Sequence, residues 1–304
     1  MRLVFAGTPA AAVPSLSRLI ADGHDIAAVI TRPDAPLGRK RVLTPSPVAR
    51  FAEEHGLPVL RTSRLDPALT AQIRALDAAL GVIVAYGGLV RPDLLAVPPH
   101  GWINLHFSLL PARRGAAPVQ RSIIAGEPLG ASVFQLVEEL DAGDVFAERE
   151  VPAAEGLTAG EALEVLAEDG ADLLAGVVSD IAAGTARTVP QRGEPSVAAK
   201  MHLEDGLLNF SLDAETILRR FRGVTPEPGA HTPIGDLRLK IHALAPAATD
   251  VPVLAVGSFE LHGGRLYVGT GTAPLEVIDV QPAGRGRMRA ADWRRGISGE
   301  VTAR

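Results

Sequence analysis

Asn104 and His106 stand two residues apart at the end of an apolar run (Trp102, Ile103), inside the stretch "NLHFSLLPARRGAAP". Residues two apart on a strand project from the same face. A carboxamide and a protonated imidazole on one face can together hold the oxyanion of a tetrahedral intermediate. Further on, "ELDAGDVF" brings Asp141 and Asp144 directly after another apolar run, "ASVFQLVEEL". If that run is a neighbouring strand, a carboxylate arrives at the same sheet edge. There it can stabilise an imidazolium and take a proton from an incoming amine, directly or through water. Asn, His and Asp so placed form a site for acyl transfer without a covalent intermediate. Spacing alone admits a plainer reading at least as well, with His106 a structural histidine capping a strand and Asp141 the start of a turn.

The elements that must position these groups follow from periodicity. "RLVFAG", "DIAAVIT", "LPVL", "ALGVIVAYG" and "GWINLH" read as buried strands, separated by helical patterns over Ser15 to Gly23, Pro47 to Gly56 and Ala68 to Ala78. Short apolar strands alternating with helices predict βαβ units and a parallel sheet covered on both faces. Ligands of such sheets lie at the carboxyl ends of the strands, near a switch in strand order, which is where "NLH" falls. Thr158 to Ala183 is a long Ala/Leu-rich helical pattern, and "GTARTVPQRGEPSVAAKM" after it reads as a linker. A helix over Ala214 to Arg222 and the runs "LRLKIHAL", "VLAVGSFELHGG", "RLYVGTG" and "LEVIDVQP" then predict a small β-barrel.

Composition narrows the chemistry. The 304 residues suffice for about two domains. Cysteine is absent, which removes a thiol nucleophile, disulfides and thiolate zinc sites, and fits a cytoplasmic location. The opening "MRLVFAGTPAAAVPSL" is broken by Gly7, Pro9 and Pro14 and reads as the first strand and turn, not as a signal peptide. No apolar stretch reaches the roughly 18 residues of a membrane span. "AGTPAA" lacks the later glycines of a dinucleotide fingerprint, and the scattered histidines suggest no metal site. The net charge is −5, yet from Ser211 onward twelve Lys and Arg face ten Asp and Glu. That step predicts a second module with a different partner. Two basic stretches, "TRPDAPLGRKRVLTPSP" and "GRGRMRAADWRRG", could pair with phosphates, or could simply be solvated loops.

The pairing of "NLHFSLLPARRGAAPVQRSIIAGE" with "ELDAGDVF" resembles the folate-dependent formyltransferases, with their Asn-x-His-x-Ser-Leu-Leu-Pro run and downstream Leu-Asp-x-Gly. Four further pieces, "FAGTPAAAVPSL", "TRPDAPLGRKRVLTPSPV", "VAYGGLVRPDLL" and "VIDVQPAGRGRMRAADWRRG", extend the resemblance over nearly the whole chain, to the members acting on methionyl initiator tRNA. The resemblance implies an α/β fold: an N-terminal Rossmann-like parallel-sheet formyltransferase domain (1–187), a linker (188–206) and a small C-terminal OB-like β-barrel that binds tRNA (207–304). It implies catalytic roles for Asn104, His106 and Asp141, with Asp144 structural. Ser108, Leu109, Leu110 and Pro111 match a tetrahydrofolate contact. Tyr86, Gly87, Gly88, Leu89 and Val90 match the wall against which the pterin packs.

Arg39 matches the arginine of a loop that reaches toward the tRNA acceptor end, and Lys40, Arg41, Arg285, Arg287 and Arg289 join it as expected tRNA contacts. The donor implied is 10-formyl-tetrahydrofolate, with no metal, and the expected state is a cytoplasmic monomer. In two places the chain departs from the family pattern. Lys40 follows the loop arginine where a glycine is usual, and "TPEPG" replaces a tryptophan-bearing Asn-Pro-Trp-Pro. The rival reading is a folate-dependent formyltransferase acting on an amino sugar-nucleotide. A non-catalytic RNA-binding protein on a retired scaffold would have no reason to keep all three catalytic groups.

Overall fold

The computed structural model describes residues 1–38, 40–152 and 156–303. Two compact units emerge, one built from residues 1–118, 128–152 and 163–199, the other from residues 119–127, 156–162 and 200–303.

In the first unit, strands β1 (Arg2–Gly7), β2 (Asp25–Thr31), β3 (Val59–Arg61), β4 (Leu80–Val84), β5 (Trp102–His106), β6 (Gly130–Gln135) and β7 (Val145–Glu150) form one sheet in the order β7-β6-β5-β4-β1-β2-β3. The first five are mutually parallel, as the apolar runs predict. β6 and β7 add an antiparallel edge, and β7 is an element the sequence pattern did not reveal. β4 is buried along its whole length, as a parallel strand covered on both faces must be. Helices α1 (Val13–Ala21), α2 (Pro47–Glu54) and α3 (Pro67–Ala75) make the crossovers among the parallel strands. Ser46 and Asp66 cap the last two by accepting from the Ala49 and Leu69 amides, and a proline follows each cap.

Chain order reverses at β1, whose neighbours are β2 and β4. The crevice of such a sheet opens at the carboxyl ends beside that switch. Two glycines let β5 sit where it does. A Cβ on Gly81 of β4 would lie 2.1 Å from the Trp102 ring. That ring is buried, with its indole N–H donating to the Leu94 carbonyl at 2.9 Å. On the opposite face Leu105 meets Gly170 of the long helix that follows β7. Trp102, Asn104 and His106 therefore share the other face.

In the second unit, α4 (Pro118–Ala125) and the start of α5 (Ala159–Ala183) join α6 (Ala214–Gly223), strands β8 (His231–Ile234), β9 (Leu237–Pro246), β10 (Phe259–His262), β11 (Arg265–Val268) and β12 (Leu275–Pro282), and α7 (Ala290–Arg295). The strands form an antiparallel sheet in the order β8-β9-β12-β11-β10. Its two edges are both met by the same short segment: Ala303 bridges Ile234 of β8, and Thr302 bridges Ser258 beside β10. The expected barrel thus closes through single bridges. Phe210, Phe259 and Trp293 stack edge to face in its core, at 5.8 and 6.0 Å between centroids.

The unit also carries a partly buried ion pair that makes it acid-sensitive. Asp205 takes two bonds from Arg121, at 2.9 and 3.2 Å, and one from the His202 amide at 2.8 Å. Burial opposes ionisation of Asp205, but these bonds outweigh it and hold its carboxyl below the ordinary value. The stability so contributed is present above the ordinary carboxylate range and is lost as pH falls through the lowered value. Asp205→Asn should cost about 1–3 kcal/mol at neutral pH. The deficit should shrink below about pH 4, which denaturant titrations at a series of pH values would read.

Candidate active site

A cleft of about 480 Å³ opens at the carboxyl ends of β4 and β5. Its walls are the end of β4 and the loop after it (Ile83, Ala85 to Val90), the end of β5 (Asn104 to Phe107), the turn at Gly115 to Pro118, and the segment Leu136 to Asp141. Asn104, His106 and Asp141, the three groups to which the resemblance gives catalytic roles, all line it. The run that precedes Asp141 is indeed the strand beside β5, pairing His106 with Ser132 in antiparallel register.

His106 and Asp141 are both nearly buried, at 6% and 7% exposure. Nε2 of His106 lies 2.9 Å from the Arg113 carbonyl. A carbonyl only accepts, so Nε2 is the donor in this contact, and Nδ1 is the ring nitrogen on the other side. Nδ1 faces Oδ2 of Asp141 at 3.9 Å, an ionic contact when the ring is charged. The same Oδ2 accepts from the Gly115 amide at 2.8 Å. Asn104 is half-buried, and its buried Oδ1 has no hydrogen-bond partner among the described residues. A carboxamide, an imidazole nitrogen and a carboxylate thus share one wall.

The backbone around them is held in unusual conformations. Ala85, Arg113 and Asp141 all have positive φ, at 48°, 61° and 48°. Each such residue costs roughly 1–2 kcal/mol when it is not glycine, so the surrounding structure must fix it. Gly143 follows Asp141 closely because a Cβ there would lie 1.7 Å from the Gln135 carbonyl oxygen.

Tyr86 to Val90 line the cleft as a group. Tyr86 is 2% exposed and donates to the Thr62 carbonyl at 3.0 Å; burial raises its hydroxyl pKa, against the opposing charge of Arg32 over its ring. Ser108, Leu109, Leu110 and Pro111 do not reach the wall. They form the turn behind it: Ser108 donates to the Ala112 carbonyl, and Ser132 donates to the Ser108 carbonyl while accepting from the Leu110 amide. Asp144 is exposed and does not line the cleft; its carbonyl accepts from the Gln135 amide at 2.9 Å.

Gly115 and the carbonyl of Arg113 are site groups that the sequence reading missed. The only sequence signal was their closeness to the motif, since backbone groups leave no residue-type signature. Residues 189–198, in the stretch that reads as a linker, pack into the first unit. Val197–Ala198 pairs in parallel with Arg114–Gly115, and Ser196 accepts from the Arg113 amide.

The first basic stretch is a hairpin, not a loop: Ala35–Leu37 pairs antiparallel with Val42–Thr44. Lys40 and Arg41 are exposed in its turn, beside the outward Leu37, Val42 and Leu43. Arg39 lies outside the described residues. In the second unit Arg285, Arg287 and Arg289 are all exposed, and Asp279 sits 2.7 Å from Arg287 and 3.9 Å from Arg289. Arg294, by contrast, is structural, donating to the carbonyls of Phe259, Ile297 and Gly299. Sequence reasoning passed over Arg238 and Lys240, which line a depression of about 260 Å³ with Gln281 and the chain leading to Arg285. Their alternation with Leu239 and Ile241 was the available signal. Among the described residues no group of three or more His, Asp or Glu could hold a metal ion, and no helix is long and apolar enough to cross a membrane.

Comparison with known proteins places the chain in a family. The formyl transferase family model matches residues 1–178, and the model of the formyl transferase C-terminal domain matches residues 200–298. The methionyl-tRNA formyltransferase of Clavibacter sepedonicus is 59% identical over 299 residues, covering 98% of each chain. That of Mycobacterium sp. (strain KMS) is 48% identical over 300 residues, covering 97% of each. Among solved structures, the N-formyltransferase from Helicobacter canadensis in complex with folinic acid and dTDP-3-aminofucose has a TM-score of 0.68 at 17% identity, covering 90% of this chain and 98% of that one. HypX from Aquifex aeolicus in complex with tetrahydrofolic acid has a TM-score of 0.63 at 18% identity, covering 96% of this chain and 46% of that one. At such identities the structures speak for the fold alone, whereas the sequence relatives match from end to end: the chain belongs to the formyl transferase family, among the methionyl-tRNA formyltransferases.

Proposed function

We propose that the cleft at the ends of β4 and β5 passes the formyl group of 10-formyl-tetrahydrofolate to the free α-amine of methionine esterified to initiator tRNA. Formylation of methionyl-tRNA follows from the identity of 48–59% with enzymes of that name over nearly the full chain. The choice of donor and the roles of individual residues are our reading. The observation that carries it is the cluster of Asn104, His106 and Asp141 on one wall, with Nδ1 of His106 3.9 Å from Asp141.

A folate derivative suits this cleft. Ile83, Leu89, Val90, Leu136 and Leu140 give it apolar walls for a flat heteroaromatic ring, and Asn104 brings a carboxamide to the same cleft. When bound, a formyl-folate supplies an activated formyl carbonyl. The NH₂ of Asn104 and the protonated Nδ1 of His106 then donate to the carbonyl oxygen as negative charge grows on it. Asp141 holds the imidazolium and takes a proton from the attacking amine, directly or through one water. As the new bond from that nitrogen to the formyl carbon forms, the bond from the formyl carbon to N10 would break and the proton would pass to N10, which leaves as tetrahydrofolate. Ser108, Leu109, Leu110 and Pro111 support the donor site from behind, fixing where His106 and Phe107 leave the sheet. Lys40, Arg41, Arg285, Arg287 and Arg289 are assigned to the tRNA backbone, so tRNA affinity should fall with added salt. We take the protein to act as a monomer in the cytoplasm, where charged tRNA is found.

The test is a transfer assay with purified protein and 10-formyl-tetrahydrofolate, offering either methionyl initiator tRNA or an amino sugar-nucleotide as acceptor. Formylmethionyl-tRNA is the expected product. Turnover of the sugar-nucleotide without formylation of the tRNA would overturn the reading.

A further inference from the structure

We propose that Gln191 is a positioning residue for Asp141, acting on the acid from 50 positions further along the chain. The inference rests on the assignment of Asp141 made above. Nε2 of Gln191 donates to the carbonyl of Asp141 and to that of Gly143, each at 2.8 Å. Its Oε1 accepts from Nε and Nη2 of Arg114, at 3.2 and 2.7 Å. The amide thereby uses both its protons and both its lone pairs. Its orientation is forced, since carbonyls only accept and a guanidinium only donates.

What this amide joins matters more than how many bonds it makes. Oδ2 of Asp141 rests on the amide of Gly115, the residue directly after Arg114. One end of Gln191 holds the backbone of Asp141, and the other holds the side chain next to Gly115. The contact that aims the carboxylate is therefore tied together on both sides by a single side chain. Asp141 also needs such a hold, because its φ of 48° is a conformation that a non-glycine residue leaves readily. Gln191 itself does not line the cleft, so it acts through Asp141 and not on substrate.

The experiment uses the full chain with Gln191→Leu and Gln191→Glu. The second keeps the pairing with Arg114, so it stays informative if the first folds poorly, but it turns a carboxylate oxygen toward two carbonyls. Each variant should lower kcat at least tenfold while KM for both substrates stays within twofold. Placed in an Asp141→Asn background, Gln191→Leu should cost less than a further twofold, because the residue it acts through is already impaired. Hydrogen exchange of the Gly115 amide, protected in the wild type by Asp141, should speed up in Gln191→Leu. A kcat within twofold of wild type, losses that multiply in the Asp141→Asn background, or unchanged exchange at Gly115 would each overturn the proposal. A wild-type protein inactive on methionyl-tRNA would instead sink the functional reading, and the exchange measurement would still decide the role of Gln191.

Discussion

Asn104→Ala should lower kcat for formyl transfer by about 10²–10³-fold, the usual effect of losing one donor to a developing oxyanion. KM for either substrate should move by less than about threefold, because the bond is strongest in the transition state. The structural basis is the state of the carboxamide. Its oxygen is buried and has no hydrogen-bond partner among the described residues, in a residue that lines the cleft. A group left unsatisfied in this way is destabilising in the free enzyme by about 1–3 kcal/mol. Truncation to alanine should therefore leave stability unchanged or raise it slightly while activity collapses. Steady-state kinetics and a thermal melt on the same preparation would check both halves. A raised KM with normal kcat would place Asn104 in substrate binding, away from the chemistry.

Gly143→Ala should be the most damaging small substitution in the first unit. The added Cβ would lie 1.7 Å from the backbone oxygen of Gln135, and no side chain can swing aside to relieve that. The turn carrying Asp141 must move. In doing so it strains the bond from the Gln135 amide to the Asp144 carbonyl and both bonds from Gln191. The expected loss is about 3 kcal/mol or more in unfolding free energy, a size reserved for backbone conflicts and core defects. Activity should be lost even at temperatures where the variant stays folded. Denaturant unfolding alongside the transfer assay would show it. An active variant of near-normal stability would mean that the turn has more freedom than this packing allows.

The parts of the fold legible in the sequence were those with strong periodicity. The five parallel strands, the crossover helices and the β-rich second unit all follow from apolar spacing. The edge strand β7 was missed because its sequence, "VFAERE", is half polar, as befits a strand with a solvated side. The hairpin at Ala35–Leu37 and Val42–Thr44 was missed for a related reason. Its apolar residues point outward, and three-residue strands carry too little alternation to register.

At the candidate site, side-chain chemistry and spacing brought out Asn104, His106 and two acids, and only the resemblance to the family chose Asp141 over Asp144. What steers them could not be read in this way. The Gly115 amide and the Arg113 carbonyl are backbone groups, and Gln191 is one polar residue among several in a stretch whose prolines and glycines read as a linker. Its meaning appears only when the chain is folded back upon itself. Ser108 to Pro111 stood out as a motif, and the structure shows what its residue types leave unsaid, that Ser108 Oγ and the Leu110 amide are bonded into the turn after β5.

The path of residues 189–198 also bears on the order in which a nascent chain becomes competent. His106, Gly115 and Asp141 can all be synthesised, and much of the sheet formed, while the acid still lacks its clamp. Only when Gln191 and Ser196 have emerged from the ribosome can they fasten the turns at Asp141 and Arg113. Any chain interrupted before that point holds Asn104, His106 and Asp141 but not the contacts that fasten the turns at Asp141 and Arg113. Translation thus delivers this site in two instalments, chemistry first and alignment some fifty residues later.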